Sequence, residues 1–109
     1  MPRLSAEFWV RAYLRRLELE LIPAFVVARG DATAGAILVK CATLDGQAAV
    51  FQRSFDFARD ERVWMELAAG PEADVDRAIA AQRRSDPDLW VIEVEDRAGR
   101  HLLDAPGLE

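Results

Sequence analysis

Apolar residues recur at every third or fourth position near the start of the chain and at every second position through its middle. Trp9, Tyr13 and Leu17 fall at i, i+4 and i+8, with Val10, Leu14 and Leu21 alongside and Arg11, Arg15 and Glu18 on the other side. That stripe predicts a helix of about four turns that packs on something. Ser5 is placed to cap it, because its hydroxyl can accept from an early helical amide while Glu7 meets the positive end of the dipole. Pro23 ends the pattern.

The spacing then changes. Ala24 to Ala28 is a short β-prone run closed by Arg29-Gly30-Asp31, and Ile37, Val39 and Cys41 alternate with Leu38 and Lys40 in the next. Asp45-Gly46 between two β-prone runs signals a hairpin. In Val50 to Phe57, Phe51, Phe55 and Phe57 share a face with Arg53, opposite Gln52, Ser54 and Asp56. After the charged turn Ala58 to Glu61, Val63, Met65 and Leu67 alternate with Trp64 and Glu66. Pro71 opens a second helix with acids in its first turn and Val75, Ile79 and Arg83 along one side. Asp86-Pro87 stops it, since the residue before proline is pushed out of the helical region.

Leu89 to Val94 is nearly continuous in apolar character, which predicts a strand central at its start. His101 to Leu103 reads as a brief further strand, and residues 105–109 as a loose tail. The expected architecture is one α+β domain over residues 1–109. Four strands form a meander in an antiparallel sheet of four to six strands, with the N-terminal and second helices packed on one face.

Composition adds limits. The chain has 109 residues, 51% apolar and 30% charged, enough to bury a single core. One cysteine, Cys41, rules out an internal disulfide, and with one histidine, His101, it leaves too few soft ligands for structural zinc. The start lacks the order of a secretory signal and no apolar run approaches a membrane span, so a cytoplasmic location is the default expectation and no membrane partner is expected. The net charge of −5 disfavours nucleic acid. It is unevenly spread: residues 1–16 carry four arginines and one acid, whereas residues 60–96 carry eleven acids and four arginines.

Candidate chemistry concentrates between Asp86 and Asp96. Asp88, Glu93 and Glu95 could offer oxygen ligands to a hard divalent ion, and the outline is similar to nucleases with a Pro-Asp pair followed by Glu-x-Lys. The lysine of that pattern is missing, with Glu95 in its place, and Asp88 to Glu93 spans up to about 17 Å if extended, too far for one coordination shell. The plainer reading makes Asp86 and Asp88 turn formers and Glu93 and Glu95 a solvated strand end. His101 titrates near neutrality, but no nucleophile is placed beside it by sequence. Gly30 to Gly35 reads as a hairpin connection rather than a phosphate loop, because a strand follows it. Trp9 and Trp90 read as core. Trp64 shares a face with Glu66, so either both sheet faces are covered or its ring is open to a partner.

Three segments carry a resemblance: Trp9-Val10 with Leu14-Arg15-Arg16, Arg29-Gly30-Asp31 with Ala34 to Val39, and Asp86-Pro87-Asp88-Leu89-Trp90-Val91-Ile92-Glu93-Val94-Glu95-Asp96. Together they resemble a bacterial family known only as domain of unknown function 1491. The resemblance implies a small bacterial cytosolic domain and carries over no activity, cofactor, partner or functional residue.

The leading expectation is a non-enzymatic protein-interaction or regulatory module, homodimeric through a sheet face or an uncapped edge strand, with no cofactor and no catalytic or metal-ligating residue. Its candidate binding residues are Trp64, Asp88, Trp90, Glu93, Glu95, His101 and Arg15. The alternative is a small metal-dependent enzyme that gathers the acidic segment and His101 in one pocket. A third reading has Arg3, Arg11, Arg15 and Arg16 line a basic helix face that docks in a salt-sensitive way.

Overall fold

The computed structural model describes residues 4–56 and 58–106. Arg3, the side chains of Ser54, Phe55 and Asp56, Phe57 and the tail residues 107–109 lie outside the described residues. The first helix, α1, spans Ala6–Leu19, and its cap is the expected one: Ser5 Oγ accepts from the Phe8 amide at 3.2 Å. Trp9, Val10, Tyr13 and Leu17 are buried, as the stripe requires. Each such side chain contributes on the order of 2 kcal/mol by leaving water.

Leu21 departs from the stripe. The helix ends before it, and Leu21 sits 89% exposed with φ +59°. Its amide donates to Glu18 O at 2.9 Å, and the Ile22 amide reaches back to Leu17 O at 2.9 Å. This is a Schellman closure with Ile22 packed near Leu17, and it places a leucine where glycine is the unstrained choice. Leu21→Gly is therefore expected to stabilise the fold by about 1 kcal/mol, seen as a raised midpoint in thermal denaturation.

Five strands follow: β1 (Ala24–Ala28), β2 (Ile37–Ala42), β3 (Gln47–Asp56), β4 (Glu61–Pro71) and β5 (Trp90–Glu95), with helix α2 (Glu72–Ser85) between the last two. The sheet order is β1-β5-β2-β3-β4. β2, β3 and β4 form the expected meander, and the hairpin at Asp45-Gly46 turns with Gly46 at φ +87°. The four-strand meander and the purely antiparallel sheet are corrected. β5 enters between β1 and β2, antiparallel to β1 and parallel to β2, so the sheet is mixed. His101 to Leu103 is irregular chain rather than a strand.

The helices also divide. α1 covers the face built by Ile37, Val39, Cys41, Trp90, Ile92 and Val94, whereas Val75 of α2 covers Leu38, Ala48 and Val50 on the opposite face. One helix per face replaces the expected pair on one face. The cause is the two central strands: every residue of β2 is buried, and a strand apolar on both sides needs a layer over each.

The segment joining β1 to β2 is likewise not a hairpin, because it must pass over the start of β5. Gly30 and Gly35 lie against Asp88 and Trp90 there, the Asp31 amide donates to Asp88 O at 2.9 Å, and Trp90 Nε1 donates to Asp31 O at 2.8 Å.

Candidate functional site

β4 ends the sheet, so its outer edge has no neighbouring strand among the described residues. Its first six residues pair with β3 without interruption, from Asp56 opposite Glu61 to Phe51 opposite Glu66, and the register shifts at Leu67. Alternation sends Arg62, Trp64 and Glu66 to the α1 face and Val63 and Met65 to the α2 face. α2 packs on Ala68, Val50 and Ala48, which leaves Met65 54% and Leu67 37% exposed.

Of the two arrangements left open for Trp64, the structure has both sheet faces covered. Trp64 is half-buried, its ring centre 5.3 Å from that of Trp9, with the Arg53 guanidinium 5.9 Å from its own centre and 5.5 Å from that of Trp9. Both sheet faces carry a helix, and the open positions are the neighbours of Trp64 rather than its ring. Trp9 Nε1 is buried without a hydrogen-bond partner among the described residues, at a cost of about 1–3 kcal/mol.

Beside β4 lies a cleft of about 370 Å³ lined by Phe51, Trp64, His101, Leu103, Arg59 and Arg62, so two residues singled out from the sequence, Trp64 and His101, share one surface. The His101 ring centre is 4.6 Å from that of Phe51, and its carbonyl accepts from the Tyr13 hydroxyl at 2.7 Å. Its Nδ1 accepts from the Leu103 amide at 3.0 Å, which leaves Nε2 to carry the proton of the neutral ring. Burial pushes its pKa down and the nearby Asp104 only partly offsets this.

The folded state therefore resists protonation that the unfolded chain accepts. Stability is full above the ordinary histidine value of 6.5 and falls as pH drops below it. Urea denaturation at stepped pH should show this loss begin below about 6.5, and His101→Gln should remove it.

Arg62 reaches both this cleft and an adjoining one of about 330 Å³ beside Ser5, Thr33 and Arg53. It is half-buried, and neither it nor the exposed Glu66 has an ion-pair partner among the described residues. Arg59, by contrast, pairs with Glu61 at 3.1 Å.

The remaining sequence-predicted residues go elsewhere. Asp88 and Trp90 hold the β1–β2 connection, and Asp86 Oδ1 accepts from the Asp88 amide at 3.1 Å, the turn-forming role. Glu93 lies on the α2 face, 3.3 Å from Lys40 Nζ. Glu95 follows on that same face, partly buried, and its amide donates to Pro23 O at 2.9 Å. Arg15 is exposed on α1 and pairs with Glu18 at 3.3 Å. His101 packs on the opposite side of the sheet from Glu93, so the acidic segment and the histidine do not share a pocket. Among the described residues, no three His, Cys, Asp or Glu side chains are placed to hold a metal. Among them, too, no helix is long and apolar enough to cross a membrane.

Sequence reasoning passed over Lys40. It is 4% exposed, and Nζ meets Glu72 at 2.7 Å and Asp76 at 2.8 Å as well as Glu93. Burial alone would lower its pKa. The hydrogen bonds to Asp76 and Glu72 and the charge of Glu93 outweigh that and hold it above the ordinary lysine value. The available signal was a lone lysine inside an apolar strand, with Glu72 and Asp76 one helical turn apart to receive it. Cys41 and Tyr13 are chemically quiet: burial pushes both groups up, with Asp96 adding to the first and Cys41 to the second.

The family described as "Protein of unknown function (DUF1491)" matches residues 4–104. The crystal structure of a DUF1491 family protein from Caulobacter crescentus CB15 is 43% identical with a TM-score of 0.85, over 93% of this chain and 95% of that one. An NMR structure of a DUF1491 family protein from the same organism is 42% identical with a TM-score of 0.81, over 93% of each chain. A solution structure of an A. tumefaciens protein is 29% identical with a TM-score of 0.73, over 86% of each. No curated protein matches.

Proposed function

The chain belongs to the DUF1491 family, and from that premise we propose that it is a non-enzymatic protein-interaction module whose contact element is β4. The carrying observation is the edge itself. β4 runs for 11 residues, twice the usual strand length, and presents Met65 and Leu67 to solvent along an edge that no other strand covers among the described residues. Natural edge strands are commonly blunted by lysine, by an early bulge or by a covering helix. β4 has no lysine, and its bulge comes only at Leu67.

The other edge, β1, also exposes Phe25 and Val27, but it is five residues long and its register shifts between Val26 and Ala28. A short, interrupted edge offers few consecutive pairing groups. Strand addition on β4 would take main-chain hydrogen bonds for affinity and the alternating Val63 and Met65 positions for selectivity.

Panning a phage-displayed peptide library against the protein tests this. Peptides of alternating apolar pattern should be enriched and should lose binding to the Val63→Lys/Met65→Lys variant. Recovery of no such peptides, or of peptides indifferent to that variant, would count against β4 as the contact element.

A further inference from the structure

We infer that the partner β4 fits is a second copy of this chain, paired antiparallel about a two-fold axis that passes through Trp64. The inference rests on the reading of β4 as the contact strand and goes on to specify what it contacts.

A two-fold axis perpendicular to the sheet keeps the faces of the two copies matched, so opposed residues belong to the same face and the axis passes through a residue. With the axis at Trp64, Arg62 lies opposite the partner's Glu66 and Glu66 opposite the partner's Arg62. On the other face, Val63 meets the partner's Met65 in two equivalent apolar pairs. Neighbouring registers do worse. An axis at Val63 sets Glu66 opposite the partner's Asp60, and an axis at Met65 sets Arg62 opposite the partner's Ala68. Axes at Arg62 or Glu66 place like charges on the axis itself, which is destabilising in a directly opposed pair.

Three features of the single chain converge on the Trp64 register. Arg62 and Glu66 are the two charges that flank Trp64 on its face, and neither has an ion-pair partner among the described residues. The uninterrupted part of β4, Glu61 to Glu66, contains both. The shift at Leu67 then bends the strand just beyond the self-complementary segment. Pairing over so few residues falls at the small end of interfaces, so the dimer is weak and depends on concentration. Its two charge pairs at the rim of the sheet make it weaken as salt rises.

Sedimentation equilibrium from micromolar to millimolar protein tests the register. The wild type should shift from monomer to dimer. Arg62→Glu and Glu66→Arg should each weaken the dimer about tenfold or more by opposing like charges, and the Arg62→Glu/Glu66→Arg double variant should restore it. Unchanged circular dichroism and thermal midpoints would show that all three variants remain folded, as surface changes on an edge strand should allow. A wild type that stays monomeric at millimolar concentration overturns self-pairing, while peptides selected on β4 would still support the contact strand. A dimer indifferent to the reversals, or one that the double variant fails to restore, overturns the register.

Discussion

Lys40→Met is expected to destabilise the fold by about 2–3 kcal/mol. The substitution keeps most of the apolar stem but leaves Glu72, Asp76 and Glu93 gathered around a missing charge. Removing one partner of a buried pair typically costs about 3–5 kcal/mol. The lower figure follows from geometry: Glu72 and Asp76 are partly exposed and can turn to water, whereas Glu93 is held on β5 beside Lys40. Urea denaturation at neutral pH reads the loss. The alkaline limb gives a second check. Because folding raises the lysine pKa, its contribution is complete below the unfolded value of 10.5 and is lost as pH rises through the higher folded value. The wild type should therefore lose stability above about pH 10.5 to a degree that Lys40→Met does not.

Gly35→Ala is expected to cost about 2–3 kcal/mol, and Gly30→Ala at least as much, for a reason of space rather than backbone angle. A Cβ on Gly35 would lie 2.6 Å from the Asp88 carbonyl oxygen and 2.8 Å from Trp90 Cδ1, and one on Gly30 would run into the same carbonyl. Neither glycine has a positive φ. To admit the methyl the connection must lift, which breaks the bonds from the Asp31 amide to Asp88 and from Trp90 Nε1 to Asp31. Gly46→Ala is the control. Gly46 has φ +87° with nothing near its Cβ position, so its substitution should cost only about 1 kcal/mol of backbone strain. Denaturant midpoints for the three variants distinguish the two causes.

What could be read from the sequence was what is local. The α1 stripe, the Ser5 cap, the Asp45-Gly46 hairpin and the stop at Asp86-Pro87 all depend on residues within one or two turns of each other, and each is present. The place of β5 depends on no neighbour in sequence. Its continuous apolar run announced a central strand, but turn signals report only which consecutive strands pair, so its insertion between β1 and β2 left no local trace. The error about Gly30 to Gly35 has the same origin, since a connection that crosses the end of a strand needs the same small and polar residues as a hairpin.

The candidate site was visible in part. Trp64 and His101 stood out by residue type, but their meeting in one cleft depends on the chain after β5 returning across α1, where Tyr13 holds the His101 carbonyl. The exposures on β4 stayed open in the sequence because alternation tells which residues share a face and not which face a helix will cover. Glu93 was read as a solvated strand end because Lys40 is far from it in sequence, although the parallel register sets the two side by side. Of the basic face expected of Arg3, Arg11, Arg15 and Arg16, Arg11 and Arg15 each pair with an acid on α1, Glu7 and Glu18.

The most direct test of self-pairing through β4 is a dilution series of amide nitrogen–proton spectra. Residues 61–67 should shift progressively with protein concentration while β1 and both helices hold still. A spectrum unchanged up to millimolar protein, or changes centred on β1 or on the α2 face, would contradict self-pairing through β4.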